Sequence, residues 1–194
     1  MSRIASVHRV TRETDVAVTI DLDGTGRADV ATGVGFWDHL LTALAHHALF
    51  DLEIRVVGDL EVDDHHTVED SALVLGQAIG EALGDRSGIH RYGDAAVPMD
   101  EALARVAVDV GGRPYAVVNL ELRNERIGAL TTQNLPHALE SLARTGGITL
   151  NVQASGSNDH HVAEAAFKAL ARALRLAVAA DPRRTGVPST KGTT

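Results

Sequence analysis

The runs "DDHHTVED" (residues 63–70) and "NDHHVAEA" (158–165) put the order His-His-x-x-Glu into one chain twice. One such run reads as a polar, solvated helix start. Two at matching places read as a duplication, and a repeat governs every later inference about the fold. The flanks extend the match. "HLLTALA" from His39 lies over "HALESLA" from His137, and "FDLEIRVVG" (50–58) lies over "GITLNVQAS" (147–155). "ETDVAVTID" from Glu13 lies over "EALARVAVD" from Glu101, with an aspartate at the end of each. The chain divides into a first half, 1–92, a second half, 93–180, and a tail, 181–194, with the halves forming one compact unit.

Each half reads as strands, helix, strand, helix. "VAVTIDLDGTGRADVATG" and "LARVAVDVGGRPYAVVNL" alternate apolar and polar residues about a Gly-rich turn, which predicts a β-hairpin in each half. Short amphipathic helices are expected over 37–48 and 133–144. Longer ones are expected over 65–84 and 160–179, capped by Asp64 and Asp159. Ala166, Leu170, Ala173, Leu174 and Ala177 form a stripe at helical spacing. The fold class is α+β: two β-sheets with a shared helical layer. The tail has no apolar period and is expected to be mobile unless something binds it.

Composition narrows the function. The formal charge is -8 and aromatics are 3% of the chain, which disfavours a general nucleic-acid binder. Apolar runs are too short to span a bilayer and no signal-peptide pattern opens the chain, so a cytoplasmic, soluble protein is expected. With no cysteine, thiolate metal sites are excluded.

On a helix with His65 at zero, Glu69 falls at about 40° and His66 at about 100°. All three project from one turn, and the second cluster repeats the arrangement. With His39 and His137, six histidines and two glutamates form two N/O metal sites. Spacing does not decide which ligands share an ion. Adjacent histidines diverge, so the working pairing lets the repeats exchange ligands: His39, His66, His160 and Glu164 on one ion; His65, Glu69, His137 and His161 on the other. His8, His46, His47 and His90 carry less weight. Lys168, a helical turn beyond Glu164, has Leu73 as its repeat mate, so a cation stands beside one cluster only; as a surface pair it contributes only ~0.5 kcal/mol. Arg91, Arg113, Ser189 and Lys191 are groups suited to a phosphate.

"DLDGT" (21–25) offers a rival. A strand ending in Asp-x-Asp-Gly-Thr is the nucleophile motif of dehalogenase-type phosphatases, with Asp21 attacking phosphorus and Asp23 handling the proton. The equivalent stretch in the second half, "VAVDVGGRP", argues instead for a turn in a duplicated sheet. A non-catalytic metal-bound scaffold is the other rival.

Taken together, "RVTRET", "GFWDHLL", "DDHHTVEDSALVLG", "GIHRYGDAAVPMDEAL", "GGRPY", "SNDHHVAEAAFKALARAL" and "GVPSTKG" closely resemble the imidazoleglycerol-phosphate dehydratase family of histidine biosynthesis. The resemblance covers essentially the whole chain. Many bacterial members carry glutamine where this chain has Ala43, so a ring contact from that position is absent. Some members are fused to a dehalogenase-type phosphatase; the length here leaves no room for that fusion. The resemblance implies halves like ribosomal protein S5 domain 2, two manganese ions per active site, and a shell of twenty-four subunits with sites between them. Ligand chemistry alone allows iron, cobalt or zinc equally. It further implies dehydration of D-erythro-imidazoleglycerol phosphate to imidazole-acetol phosphate. Two metals on the ring nitrogens would stabilise an imidazolate and favour loss of the hydroxyl, giving a diazafulvene-like intermediate. Glu13 is the implied proton-transfer group, with Glu164 also near the chemistry. Asp100 is a further substrate-binding candidate, and Arg91, Arg113, Lys168, Ser189 and Lys191 match the family's phosphate-binding positions.

Overall fold

A computed structural model of the chain describes residues 3–192. The first half forms β1 (Ile4–Val10), β2 (Thr14–Asp21), β3 (Ala28–Ala31), α1 (Gly35–Ala48), β4 (Asp51–Gly58) and α2 (His65–Leu83). The second forms β5 (Tyr92–Met99), β6 (Ala102–Asp109), β7 (Tyr115–Leu120), a small hairpin of β8 (Arg126–Ile127) and β9 (Leu130–Thr131), then α3 (Asn134–Gly146), β10 (Thr149–Ser155) and α4 (Asp159–Val178). The sheets run β1-β2-β4-β3 and β5-β6-β10-β7, so apart from the inserted β8–β9 hairpin the halves share one topology. The duplication is structural as well as sequential.

Alternation decides which face each strand buries. Val16, Val18 and Ile20 of β2 point inward, as do their mates Ala104, Val106 and Val108 of β6. It does not decide neighbours, and there the expectation fails. The expected hairpins, β2 with β3 and β6 with β7, do not form. β4 pairs antiparallel with β2 and parallel with β3, and β10 does the same between β6 and β7. In the second half the N–H groups of Gly112 and Tyr115 donate to the carbonyls of Gly147 (3.0 Å) and Ile148 (3.1 Å) and so lay the connection along the start of β10; in the first half the physical reason lies at Asp51. Its carboxylate accepts hydrogen bonds from the N–H groups of Thr25 (2.7 Å) and Arg27 (3.0 Å) and from Arg27 Nε (2.8 Å). The Arg27 side chain and these N–H groups hold its pKa well below the usual carboxylate range. The Gly-rich segment is thus a crossing loop anchored on β4. The true hairpins are β1–β2 and β5–β6, turning at Glu13 and at Asp100–Glu101.

The helices lie between the sheets, with α1 against α4 and α2 against α3. The sparse aromatics concentrate there: Trp37 stacks edge-on against Phe167 at 5.5 Å and donates from Nε1 to Ser71 Oγ (2.9 Å). The α4 stripe of Ala166, Leu170, Ala173, Leu174 and Ala177 is buried. Where α2 meets α3, a side chain at Gly76 would place its Cβ 2.3 Å from the Leu142 carbonyl oxygen, so glycine permits the close crossing.

Two caps differ from expectation. Asp64 occupies the N-cap of α2, but its carboxylate accepts from the N–H and Oγ1 of Thr131 rather than from its own helix. Asp159 accepts from the N–H groups of Arg123 and Asn124, and Asn158 caps α4 by accepting from His160 N–H. Both aspartates tie a helix start to the β7–α3 connection instead of capping the helix. The tail meets the fold at three points along Gly88–Arg91: Gly88 N–H donates to Gly186 O (2.9 Å), Asp181 N–H to Gly88 O (2.9 Å), and Arg91 Nη1 to Pro188 O (2.7 Å). Pro188 is buried. Backbone bonds and one arginine supply what the missing apolar period could not. Among the described residues no helix is long and apolar enough to cross a membrane.

Candidate active site

The cap on α4 starts the helix so that His160 and Glu164 share a face one turn apart. The crossing of α1 brings in His39. Its Nε2 and that of His160 each lie 3.1 Å from Glu164 Oε2. On the other oxygen, Lys168 Nζ donates at 2.7 Å. Burial opposes the charge on Glu164, but the hydrogen bonds from Lys168 and His39 outweigh it and hold the carboxyl at about 2. The glutamate is ionised at neutral pH and two ring nitrogens converge on it.

The second cluster is the repeat of the first. His65 and Glu69 share a face of α2, with His65 Nε2 3.5 Å from Glu69 Oε2, and α3 contributes His137, its Nε2 3.2 Å from Glu69 Oε1. Asn134 Oδ1 lies 3.1 Å from His65 Nδ1, which leaves Nε2 available to a metal. His137 Nε2 is buried and makes no hydrogen bond. A buried ring nitrogen beside a carboxylate and a second imidazole fits a divalent cation, and the donor set of two histidines and one glutamate at each cluster supports that fit. The expectation of a cation beside one cluster only is corrected: Arg144 Nη2 lies 3.4 Å from Glu69 Oε1. It comes from the last turn of α3, so inspection of α2 alone missed it.

Each cluster draws a histidine from one half and a His-Glu pair from the other. His66 and His161 are not brought into either three-residue group. They point elsewhere, each with Nδ1 held by a carboxylate: His66 by Asp59 (3.0 Å), His161 by Glu101 (2.9 Å). Those contacts raise the proton affinity of both rings and leave Nε2 outward. The sequence reading missed Asp59, Asn134 and Arg144 and saw Glu101 only as the mate of Glu13. No local pattern marks such partners. His8, His46, His47 and His90 join neither group.

Glu13, at the β1–β2 turn, has its carboxylate Oε1 3.8 Å from His66 Nε2. Asp100, at the β5–β6 turn, has Oδ2 3.7 Å from His161 Nε2. A pocket of about 390 Å³ collects Arg91, Arg113, Ser189, Thr190 and Lys191. Arg91 forks onto Asp109 (2.7 and 2.9 Å) besides holding Pro188, which leaves one N–H free on each terminal nitrogen. Gly111 leaves room for this pair, since a Cβ there would come within 2.6 Å of Arg91 Nε. The pocket is remote from the first cluster. Arg91 N–H bonds Ala177 O, 13 residues beyond Glu164 on α4, roughly 20 Å along the helix.

The rival nucleophile is accounted for locally. Asp21 accepts from Asp23 N–H in the crossing loop, and Asp23 pairs with Arg3.

A duplicated α+β chain that assembles two His₂Glu clusters across its halves, with a separate basic pocket, has the donor sets to hold metal ions and the charge to receive a small anion. The family model described as imidazoleglycerol-phosphate dehydratase matches residues 32–174. The chain is 55% identical over 192 residues to the imidazoleglycerol-phosphate dehydratase of Methylorubrum extorquens, covering 98% of each chain, and likewise to that of Cereibacter sphaeroides. Among solved structures it resembles the dehydratase of Staphylococcus aureus (TM-score 0.83, 36% identity, 92% of this chain and 99% of that one). It also resembles the Pyrococcus furiosus protein in complex with (S)-C348 (TM-score 0.84, 36% identity, 97% and 100%). The chain belongs to the imidazoleglycerol-phosphate dehydratase family. It is a hydro-lyase of histidine biosynthesis, and the phosphatase reading through Asp21 falls.

Proposed function

We propose that this chain dehydrates D-erythro-imidazoleglycerol phosphate to imidazole-acetol phosphate, using two manganese ions per active site, in a cytoplasmic assembly of twenty-four subunits. The observation that carries the reading is the pair of three-ligand clusters, each one donor short, beside two histidines whose free Nε2 atoms face away from them. His66 and His161 supply the fourth donors to clusters on neighbouring subunits. The separation of the basic pocket from the first cluster supports the same conclusion, because a small substrate spans that distance only if another copy brings a pocket close. Val10 and Val57, exposed apolar residues lining the same shallow depression as Glu13 and Asp59, are suited to cover by a neighbour. The two halves act as one unit, since neither owns a complete cluster.

When bound, the metals supply the positive charge that makes the ionised imidazole ring of the substrate accessible at neutral pH. The protein's own groups do the rest. His39, His160 and Glu164, and His65, Glu69 and His137, hold the ions. Glu13 moves the carbon-bound proton, and Glu164 keeps its charge beside the reacting ring. Asp100 contacts the substrate's polar end. Lys168, Arg113, Ser189 and Lys191 bind phosphate, with Arg91 holding the tail that presents the last two. Ala43, buried on α1 a turn beyond His39, offers the ring no polar contact.

The test is a product assay on protein stripped of metal and reloaded with manganese. The ketone should form in step with substrate loss, with no free phosphate. Phosphate release, or metal uptake without turnover, contradicts the reading.

A further inference from the structure

The repeat provides an internal control for the turn that carries Glu13. In the first half a polar network, buried at Thr14 and Asp70 and half-exposed at Arg9, ties this turn to α2. Asp70 of α2 accepts a hydrogen bond from Thr14 Oγ1, and Arg9 Nη1 of β1 lies 2.6 Å from its Oδ2. Thr14 opens β2. Beside it, Thr11 Oγ1 accepts from the N–H groups of Glu13 (3.1 Å) and Thr14 (3.0 Å). A side-chain path therefore runs from the helix bearing His65, His66 and Glu69 to the backbone of Glu13.

The second half builds the same place without polarity. The register that pairs Arg9 with Val16 pairs Val97 with Ala104, so Val97 is the mate of Arg9 and Ala102 that of Thr14. On the helix, Ala165 stands where Asp70 stands. Ala102 and Ala165 are buried and Val97 packs against the core. Apolar replacements for buried charged networks are often neutral or stabilising, and this fold contains such a replacement in its own second copy.

The two turns also use their glutamates differently. Glu101 accepts from the N–H groups of Ser157 (3.0 Å) and Asn158 (2.8 Å), so its carboxylate anchors the approach to α4. The side chain of Glu13 is 53% exposed. Its position is set through its backbone, by the network beneath it.

We infer that Asp70, with Thr14 and Arg9, is a positioning device for Glu13: it touches no substrate and acts on proton transfer through the turn. The inference rests on the role given to Glu13 above. Displacing a reacting group by about 1 Å can cost on the order of 10²-fold in rate, which is the scale on which such a device acts.

The test transplants the apolar set of the second half into the first, as Arg9→Val/Thr14→Ala/Asp70→Ala. Assembly and metal content should match the parent protein, KM should change little, and kcat should fall roughly 10- to 100-fold. Turnover at the parental rate overturns the inference. Thr14→Ser should keep kcat and Thr14→Val should lose it, and equal rates in this pair also overturn it, even if the triple variant does not fold. In a Glu13→Gln background the transplant should cause no further loss; a full additional drop means the network acts elsewhere. Glu13→Gln alone separates the layers, since its near-normal turnover would sink the role of Glu13 itself.

Discussion

Glu69 of α2 and His137 of α3 meet with Oε1 and Nε2 3.2 Å apart, and the imidazole nitrogen is buried without a hydrogen bond. Such a nitrogen costs stability unless something binds it. His137→Ala should therefore leave the fold intact, remove one of the two ions per chain and abolish turnover. Metal content by elemental analysis checks this. An unchanged metal count would show that the second cluster is not a binding site.

The spacing of α2 and α3 sets that pair. Gly76→Ala puts a Cβ 2.3 Å from both the Leu142 carbonyl oxygen and Thr145 Oγ1, so the helices must separate. Overpacking of this kind costs about 1–3 kcal/mol. Thermal unfolding should shift down, and metal affinity at the Glu69 cluster should fall more than at the Glu164 cluster. Unchanged melting and unchanged affinities would contradict the link between packing and site.

Glu13→Gln keeps the shape and removes the base. Turnover should fall roughly 10²–10⁴-fold with metal content and assembly near those of the parent. Metal loss would make Glu13 a ligand instead.

Acid acts through Glu101 in the metal-free protein. Its hydrogen bond with His161, and those from Asn158 and Ser157 N–H, hold it at about 2 against an ordinary 4.5. A depressed carboxyl stabilises the fold above its unfolded value, and that contribution disappears as pH falls from about 4.5 toward 2. Urea midpoints of chelated protein should drop across that window, and less steeply in Glu101→Gln. Parallel slopes would contradict the assignment.

The extent of what could be read from the chain follows from what each pattern encodes. The duplication, the helices and the six residues that meet in the two clusters were legible because helical spacing and repetition are properties of the string, while His66 and His161, expected among the ligands, stand outside both groups. Strand neighbours were not: alternation fixes the buried face of β2, while the insertion of β4 beside it depends on Asp51 and on pairing across the chain. The grouping of His39 with His160 and Glu164 is set by the crossing of α1 over α4, so spacing left it open. Arg144 and Asn134 reach their targets from α3, a separate helix. The contact of the tail at Pro188 comes from Arg91, which no sequence pattern announces.

Metal and assembly should be linked, since a shared ligand couples the two equilibria. Chelation should give smaller species by light scattering, and manganese should restore the large one. Mild acid should act like the chelator, beginning above the ordinary histidine value of 6.5, because Asp59 and Glu101 raise the proton affinity of His66 and His161. A mass that ignores both treatments would argue against shared ligands.

If a histidine from another copy completes each three-ligand cluster, mixing two inactive variants should restore complete sites. His65→Ala and His161→Ala should each be inactive when produced alone. Co-expressed, they can form sites in which one copy supplies an intact His65 cluster and its neighbour an intact His161. With random assembly about a quarter of sites should regain activity. Recovery near that level, with metal at the restored sites, is the expected result. Mixed assemblies as inactive as the separate variants would place all ligands of a site in one chain and contradict the account.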